Sequence, residues 1–429
     1  MTTVCVHGLG YIGLPTAAML ATNGYEVFGY DTDETVREAV RDADVRLDEP
    51  GLAELLSLAV DADALTAVDR VTEATYHVVC VPTPFDAERR RPELEYVDAA
   101  AESIAGVLRE GDTVIIESTV PPGTTEARVG PVLERTGLVA GRDFGLAHCP
   151  ETVLPGNVIE ELRTNERIVG GVGSDSTAAA VALYDSFVDA RIHTTTDPTT
   201  AEFVKLVQNT FRDVNVALAN ETARIAHDYG VDSREAIGLA NAHPRVDLLA
   251  PGPGVGGHCL PVDPWFLGVG SDSLELIPSA RAVNDGMTGF VVELLEELLD
   301  GLTGARIAVL GAAYKGNVDD ARNSPGVALA RTLRRGSAVV SPATDGGSPG
   351  TPTVVVHDPH VDDAPIELEG LDAATANADA VVITTDHDAF DGLDPHALGE
   401  RMAARNVVDT KGVLELQEWR DAGFSTRRV

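Results

Sequence analysis

Lysine is nearly absent from this chain of 429 residues: only Lys205, Lys315 and Lys411 occur, and the other 29 basic residues are arginine. Where lysine is excluded from a surface in general, those that remain serve a specific ammonium, so each of the three is a site candidate. Basic charge is short overall. Against 68 Asp and Glu the formal net charge is −36, which argues against a nucleic-acid partner because phosphates would be repelled. The acids are spread through every segment, and with abundant Ala, Gly and Val this looks like the charged cytosolic surface of a halophile. Cysteine is scarce too. Cys5, Cys80, Cys149 and Cys259 offer neither a disulfide framework nor a zinc pattern, and no metal is expected. No apolar run nears the ~20 residues of a membrane span, and the N-terminus enters a strand without a basic leader, so the expected location is the cytoplasm. The length suits roughly three domains of about 150 residues each.

Glycine and proline, by contrast, crowd into one stretch. Residues 251–264, PGPGVGGHCLPVDP, hold four glycines and four prolines around Cys259 and Asp263, so the run reads as neither helix nor central strand. Glycines let backbone N–H groups approach a ligand while prolines remove freedom, which makes the run a rigid anion cradle presenting a thiol. A cysteine in an ordinary turn is usually a small buried hydrophobe. Cys5, Cys80 and Cys149, set in the apolar runs VCVHG, HVVCVP and GLAHCP, fit that description, whereas Cys259 has polar neighbours and could attack a carbonyl as thiolate.

At the other end, an apolar strand Val4–Val6 runs into Gly8-Leu9-Gly10-Tyr11-Ile12-Gly13, then a helical stretch and a second strand, Val27–Tyr30, ending at Asp31. This is G-x-G-x-x-G between strand and helix with an acid 18 residues on, the arrangement that sets a pyrophosphate on a helix N-terminus and a carboxylate on a ribose hydroxyl. Asp31 and Asp33 would repel a 2′-phosphate, so NAD is expected over NADP. Arg37 either lies beside the adenine or is solvated. Further strands end at Pro82-Thr83-Pro84 and Ser118-Thr119, where Thr83 and Thr119 are cofactor candidates or turn-capping hydroxyls. A last strand reaches Cys149 and leaves the sheet with Glu151 at its edge, closing a first domain at 1–195.

Ala201–Tyr229 then runs as one long helix stopped by Gly230. Lys205 and Asn209, with Arg212 a turn on, share a face, and Phe203, Val207, Phe211, Val214 and Leu218 are expected to bury the helix. Its length makes it a plausible dimer axis. Strands resume at Arg306–Leu310 and recur at Val354–His357, Ala380–Thr384 and Val407–Val408, interrupted by an insertion at 341–352. The expected fold is α/β: two Rossmann-like doubly wound domains joined by a long central helix in an all-helical middle domain, the second binding a different nucleotide.

With these residues assembled, the chain resembles the UDP-glucose/GDP-mannose dehydrogenase family from end to end. GLGYIGLP, ESTVPPGTT, KLVQNTFRDVNVALANE and PGPGVGGHCLPVDPWF carry the resemblance, supported by AYKGNVDDARNSP. NTFRDVN, HPRV and GPGVGGHC together look like the branch acting on UDP-N-acetyl-D-mannosamine. The resemblance implies an NAD-binding domain at 1–195, a helical dimerisation domain with the cysteine loop at 196–300, and a UDP-sugar domain at 301–429. It further implies four-electron oxidation of the sugar C6 alcohol to a carboxylate by two NAD in succession, through a Cys259 thiohemiacetal and thioester. Lys205 would then act in proton transfer and steady the oxyanion, Asn209 would help hold it, and Asp263 with Glu151 would orient or activate water, the two roles left undivided. Arg212, His243, Arg245, Gly256, Tyr314, Lys315 and Arg322 fall on the UDP-sugar, Arg245 across a subunit interface.

Two positions depart from the family pattern: Thr152 stands where arginine usually follows the glutamate, which puts one substrate contact in question, and Asn323 replaces a common glutamate. Rival readings are a UDP-N-acetylglucosamine or UDP-glucose dehydrogenase, a two-electron hydroxyacid dehydrogenase and a non-catalytic UDP-sugar binder. A hydroxyacid enzyme needs neither Cys259 nor residues 306–429, and a binder would be expected to have lost Cys259 or Lys205.

Overall fold

A computed structural model describes residues 1–44, 47, 49–336 and 351–429; most of the insertion expected at 341–352 therefore lies outside the described residues. The chain divides into two compact units, Met1–Gln208 with Trp265–Asp272, and Asn209–Pro264 with Ser273–Val429.

The first unit is built on an eight-stranded sheet. Its strands are β1 (Thr3–His7), β2 (Glu26–Tyr30), β3 (Leu65–Val68), β4 (Tyr76–Val79), β7 (Thr113–Ile116), β8 (Gly145–His148), β9 (Arg167–Gly171) and β10 (Ile192–Thr195), with a small hairpin of β5 (Phe85–Asp86) and β6 (Arg91–Pro92) beside them. The order 10-9-8-7-4-1-2-3 places β1 and β4 at the centre, where the strand order reverses. All pairs are parallel except β8 with β9. Val4, Val6, Val27 and Val78 pack one core against the first helix, Gly13–Thr22, while Val79, Val114 and Ile116 pack a second with Val97 and Ile104. Burial on both faces explains the unbroken apolar runs.

The strand reaching Cys149 is not the last of this sheet. Strands β9 and β10 follow it, and their sequences hid them: RIVGG opens on a buried arginine and closes on two glycines, and IHTT is a half-polar edge.

The second unit contains a five-stranded parallel sheet of β11 (Arg306–Leu310), β12 (Thr353–His357), β13 (Ala380–Ile383), β14 (Asn406–Asp409) and β15 (Ser425–Arg428), in the order 12-11-13-14-15. This is the other common doubly wound order, with its switch point at the carboxyl ends of β11 and β13. The helix Leu276–Leu299 covers one face through Met287, Val291 and Leu295.

One long helix spans Pro198–Asp228. Its burial reverses the expectation: Phe203, Val207, Phe211 and Leu218 are 48, 40, 61 and 49% exposed and Val214 is half-buried, while Glu202, Lys205, Asn209, Asp213 and Asn220 are buried. The helix turns its polar stripe inward because each of those side chains finds a partner. Glu202 accepts from the Gly123 and Thr125 N–H groups, Asp213 from Arg281 and Asn284, and Asn220 bonds Asn284 and the Gly252 N–H. No helix among the described residues is long and apolar enough to cross a membrane.

Candidate active site

The glycine turn is shaped by two close approaches. At Gly8, with φ +88°, a Cβ would come within 2.8 Å of the Cys80 carbonyl oxygen, and at Gly13 it would lie 1.8 Å from that of Gly8. Any side chain at either position would push the turn off the sheet. Gly10 faces open space, Ile12 caps the first helix without a side-chain bond, and no acid occupies that helix's first turn. Free N–H groups and an unopposed helix dipole suit a pyrophosphate. Asp31 is held at the end of β2 by the Leu9 N–H at 2.8 Å and the Asp33 N–H at 2.9 Å, and Arg37 donates to the Asp31 carbonyl at 2.6 Å. Asp33 caps the next helix through the Thr35 N–H. Tyr11 donates to the buried Glu49, which also accepts from the Gly156 and Val158 N–H groups, so the glycine turn is tied to the loop after Glu151. The Thr83 hydroxyl donates to the Thr119 carbonyl at 2.9 Å, which brings those two strand ends together.

A second cluster lies beyond β8. Lys205 Nζ stands 2.8 Å from Glu151 Oε1, with the side chains only 8 and 13% exposed. Burial pushes the Glu151 carboxyl up, but the charge and hydrogen bond of Lys205, the Val153 N–H and Arg167 together hold it below its ordinary range. Deeper in the same unit, the wholly buried Arg167 lies 3.4 Å from Glu117, which accepts from the Cys80 thiol at 2.9 Å. Burial pushes the Glu117 carboxyl up even beside Arg167. His148, fully buried with neither ring nitrogen hydrogen-bonded, is driven down to about 3 by burial and by Lys205. It is neutral at working pH.

Sequence reasoning missed Glu117, Arg167, His148 and Glu49. A buried charge inside an apolar strand was the available signal for Glu117 and Arg167; nothing marked Glu49.

The cysteine loop belongs to the second unit. Gly252 is anchored by Asn220, and Gly257, with φ +81°, donates to the Arg322 carbonyl at 2.9 Å. A Cβ at Gly256 would lie 2.7 Å from Tyr314 Cβ, and one at Gly257 would lie 3.0 Å from the Tyr314 ring. The loop is therefore pressed onto the turn after β11. Cys259 is half-buried, and its carbonyl accepts from the Val262 and Asp263 N–H groups. Asp263 opens a short helix, Asp263–Leu267, so the last residues of the run depart from the expected loop; a proline is tolerated in a helix's first turn. Asn209 Nδ2 donates to Asp263 Oδ2 at 2.5 Å. Burial, reinforced by Asp320 and Cys259, pushes the Tyr314 hydroxyl up to about 12, opposed by Arg322 and Arg212. Tyr314, Cys259, Arg322 and Arg212 thus share one electrostatic neighbourhood.

Arg322 is held by Asp320, and Lys315, Arg212, His243 and Arg245 are exposed. Thr152 keeps a buried hydroxyl without a hydrogen-bond partner, and its carbonyl accepts from Asn165. Asn323, the other departure, donates to the Gly257 carbonyl at 2.9 Å and so supports the cysteine loop.

A doubly wound unit with a pyrophosphate turn and an acid on the second strand, followed in the chain by a thiol-bearing loop and a second doubly wound unit, defines a dinucleotide-dependent dehydrogenase. Residues 2–188, 199–286 and 308–416 match the NAD binding, central and UDP binding domains of the UDP-glucose/GDP-mannose dehydrogenase family, and the chain belongs to that family. It is an NAD-dependent UDP-sugar dehydrogenase. The chain is 40% identical over 432 residues to a UDP-N-acetyl-D-mannosamine dehydrogenase of Methanococcus maripaludis, covering 99% of this chain and 96% of that protein. It is also 40% identical to an NDP-N-acetyl-D-galactosaminuronic acid dehydrogenase of Ralstonia solanacearum, covering 96% of each. The solved structure of a UDP-D-ManNAc dehydrogenase from Pyrococcus horikoshii superposes with a TM-score of 0.90 at 40% identity, covering 100% of this chain and 99% of that one.

Proposed function

We propose that the chain oxidises C6 of UDP-N-acetyl-D-mannosamine to the carboxylate, giving UDP-N-acetyl-D-mannosaminuronate. The observation that carries this reading is Cys259 on a loop whose glycines admit no side chain against Tyr314, in a chain similar along its length to the Methanococcus enzyme. NAD supplies a hydride acceptor at C6 twice. Gly8, Gly10, Tyr11, Ile12 and Gly13 hold its pyrophosphate, and Asp31, Arg37, Thr83 and Thr119 its remaining polar groups.

After the first oxidation the Cys259 thiolate adds to the C6 aldehyde, forming a C–S bond, and the new oxyanion takes a proton. Loss of the second hydride together with the hydroxyl proton leaves a thioester, and water cleaves it to release the carboxylate and the thiol. Lys205 acts in proton transfer and steadies the oxyanion, Asn209 helps hold it, and Glu151 with Asp263 orients or activates water. Arg212, His243, Arg245, Gly256, Tyr314, Lys315 and Arg322 hold the UDP-sugar, whose diphosphate calls for cations. Thr152 adds a hydroxyl where the family usually supplies an arginine. The domains follow the same division: 1–195 for NAD, 196–300 for the helix and cysteine loop, 301–429 for the UDP-sugar.

We also assign a cytoplasmic, salt-adapted homodimer formed through the long helix. Its exposed stripe of Phe203, Val207, Phe211, Leu218 and Ile225 supports this, because a contiguous apolar face on a monomer marks an interface. A panel of UDP-sugars assayed at high salt tests the substrate. The highest kcat/KM is expected for UDP-N-acetyl-D-mannosamine; preference for UDP-N-acetylglucosamine, UDP-glucose or the galacto-configured N-acetyl sugar would overturn it.

A further inference from the structure

The centre of the first sheet carries a polar patch that the dehydrogenase chemistry leaves unused. Cys5 and His77 are register partners on the neighbouring parallel strands β1 and β4. His7 follows two residues after Cys5, so all three side chains leave the same face of the sheet. Their potential ligand atoms lie within 4.8 Å of one another. Each residue is closed from solvent, Cys5 and His77 at 0% exposure and His7 at 1%. On the opposite face the same strands carry Val4, Val6 and Val78.

The spacing suits one small cation. His7 Nε2 and His77 Nδ1 are 3.2 Å apart. Two imidazole nitrogens bound tetrahedrally at about 2.05 Å would stand roughly 3.3 Å apart, so the pair already has the required span. The outer nitrogens, His7 Nδ1 and His77 Nε2, lack hydrogen-bond partners. Leaving a polar group buried in that condition costs stability, and aliphatic side chains would pack the strands without it.

We propose that Cys5, His7 and His77 form a binding site for a single thiophilic cation of the zinc class, ligated by one sulfur and two imidazole nitrogens. One thiolate with two imidazoles disfavours magnesium and calcium, which take oxygen ligands. Binding requires both imidazoles neutral and the Cys5 sulfur deprotonated, so the cation displaces the thiol proton. On binding, the Cys5 S–H bond breaks and a metal–sulfur bond forms. The hydrogen shared between the two rings moves to an outer nitrogen, one proton leaves to solvent, and nothing is oxidised or reduced. His7 immediately precedes Gly8, so the bound cation braces the strand that feeds the pyrophosphate turn. Because the cluster is closed, loading is slow and is best driven by warming or by refolding with the metal present.

The test uses the full chain, stripped with chelator and loaded with zinc, or with cobalt(II) as a spectroscopic substitute. The expected result is about one zinc per chain, one proton released per zinc, a higher Tm, and a thiolate-to-cobalt charge-transfer band with tetrahedral d–d absorption. Cys259→Ser should keep the band and Cys5→Ala should lose it; His77→Phe serves as a second variant should Cys5→Ala fold poorly. Wild-type chain that shows no band and retains no more zinc than Cys5→Ala overturns the proposal. So does a band that vanishes in Cys259→Ser, which would place the metal on the reactive thiol. Should neither core variant fold, the wild-type spectrum and proton count decide between the two results.

Discussion

Lys205 Nζ and Glu151 Oε1 lie 2.8 Å apart in a nearly closed part of the first unit, and the charge and hydrogen bond of Lys205 help hold the buried Glu151 carboxyl below its ordinary range. Replacing Lys205 with methionine leaves a buried carboxylate without its cation, so Glu151 will take up a proton. We expect kcat to fall by about 10²–10⁴-fold, as for loss of a proton-transfer group, and stability to fall by about 3–5 kcal/mol. Glu151→Gln leaves the Lys205 ammonium buried without its carboxylate, and should lower both kcat and the urea midpoint. Unchanged stability in both variants would contradict the pairing.

Cys259→Ser should lower acid formation by about 10³-fold or more while NAD binding, followed by fluorescence titration, stays unchanged. Undiminished acid production would refute the nucleophile assignment.

Gly257→Ala tests the seating of the loop independently of the thiol. Its φ of +81° strains any side chain, and a methyl group 3.0 Å from the Tyr314 ring makes the ring or the loop give way, so Cys259 should shift. A displacement of about 1 Å costs on the order of 10²-fold in kcat, and NAD affinity should not move.

The pH dependence of stability is set in part by His148, which burial and Lys205 lower to about 3 from 6.5. A histidine with a depressed folded pKa contributes stability that is fully present above pH 6.5 and is lost as pH falls toward 3. The loss approaches about 1.4 kcal/mol per pH unit. Urea midpoints measured between pH 6.5 and 5 at fixed salt should fall more steeply for the wild type than for His148→Leu. Parallel curves would contradict the assignment.

Phe211, 61% exposed on the long helix, is the most exposed phenylalanine of the apolar stripe. Phe211→Asp should reduce the mass seen by light scattering from about twice 45.1 kDa to that of one chain. A wild-type monomer would remove the dimer from the account.

Much of this was legible in the chain, for physical reasons that differ from place to place. The Gly8–Gly13 turn and Asp31 could be read because a strand, a tight turn and a helix start are local events with residue-specific backbone demands. Lys205 stood out through the rarity of lysine. What could not be read was burial on the long helix, because a helix with apolar and polar faces does not say which one meets the rest of the chain; here satisfied polar partners decide it. The Arg167–Glu117 pair was equally hidden, since its members are 50 positions apart in sequence and meet only once β7, β8 and β9 are laid side by side.

The central claim is that sulfur holds the half-oxidised sugar between two oxidations, and the most direct measurement couples NADH yield to rapid-quench mass spectrometry of the chain. With limiting UDP-N-acetyl-D-mannosamine the account predicts two NADH per sugar and a transient acyl adduct on the peptide carrying Cys259. One NADH per sugar, or free aldehyde accumulating with no adduct at any time, would contradict it.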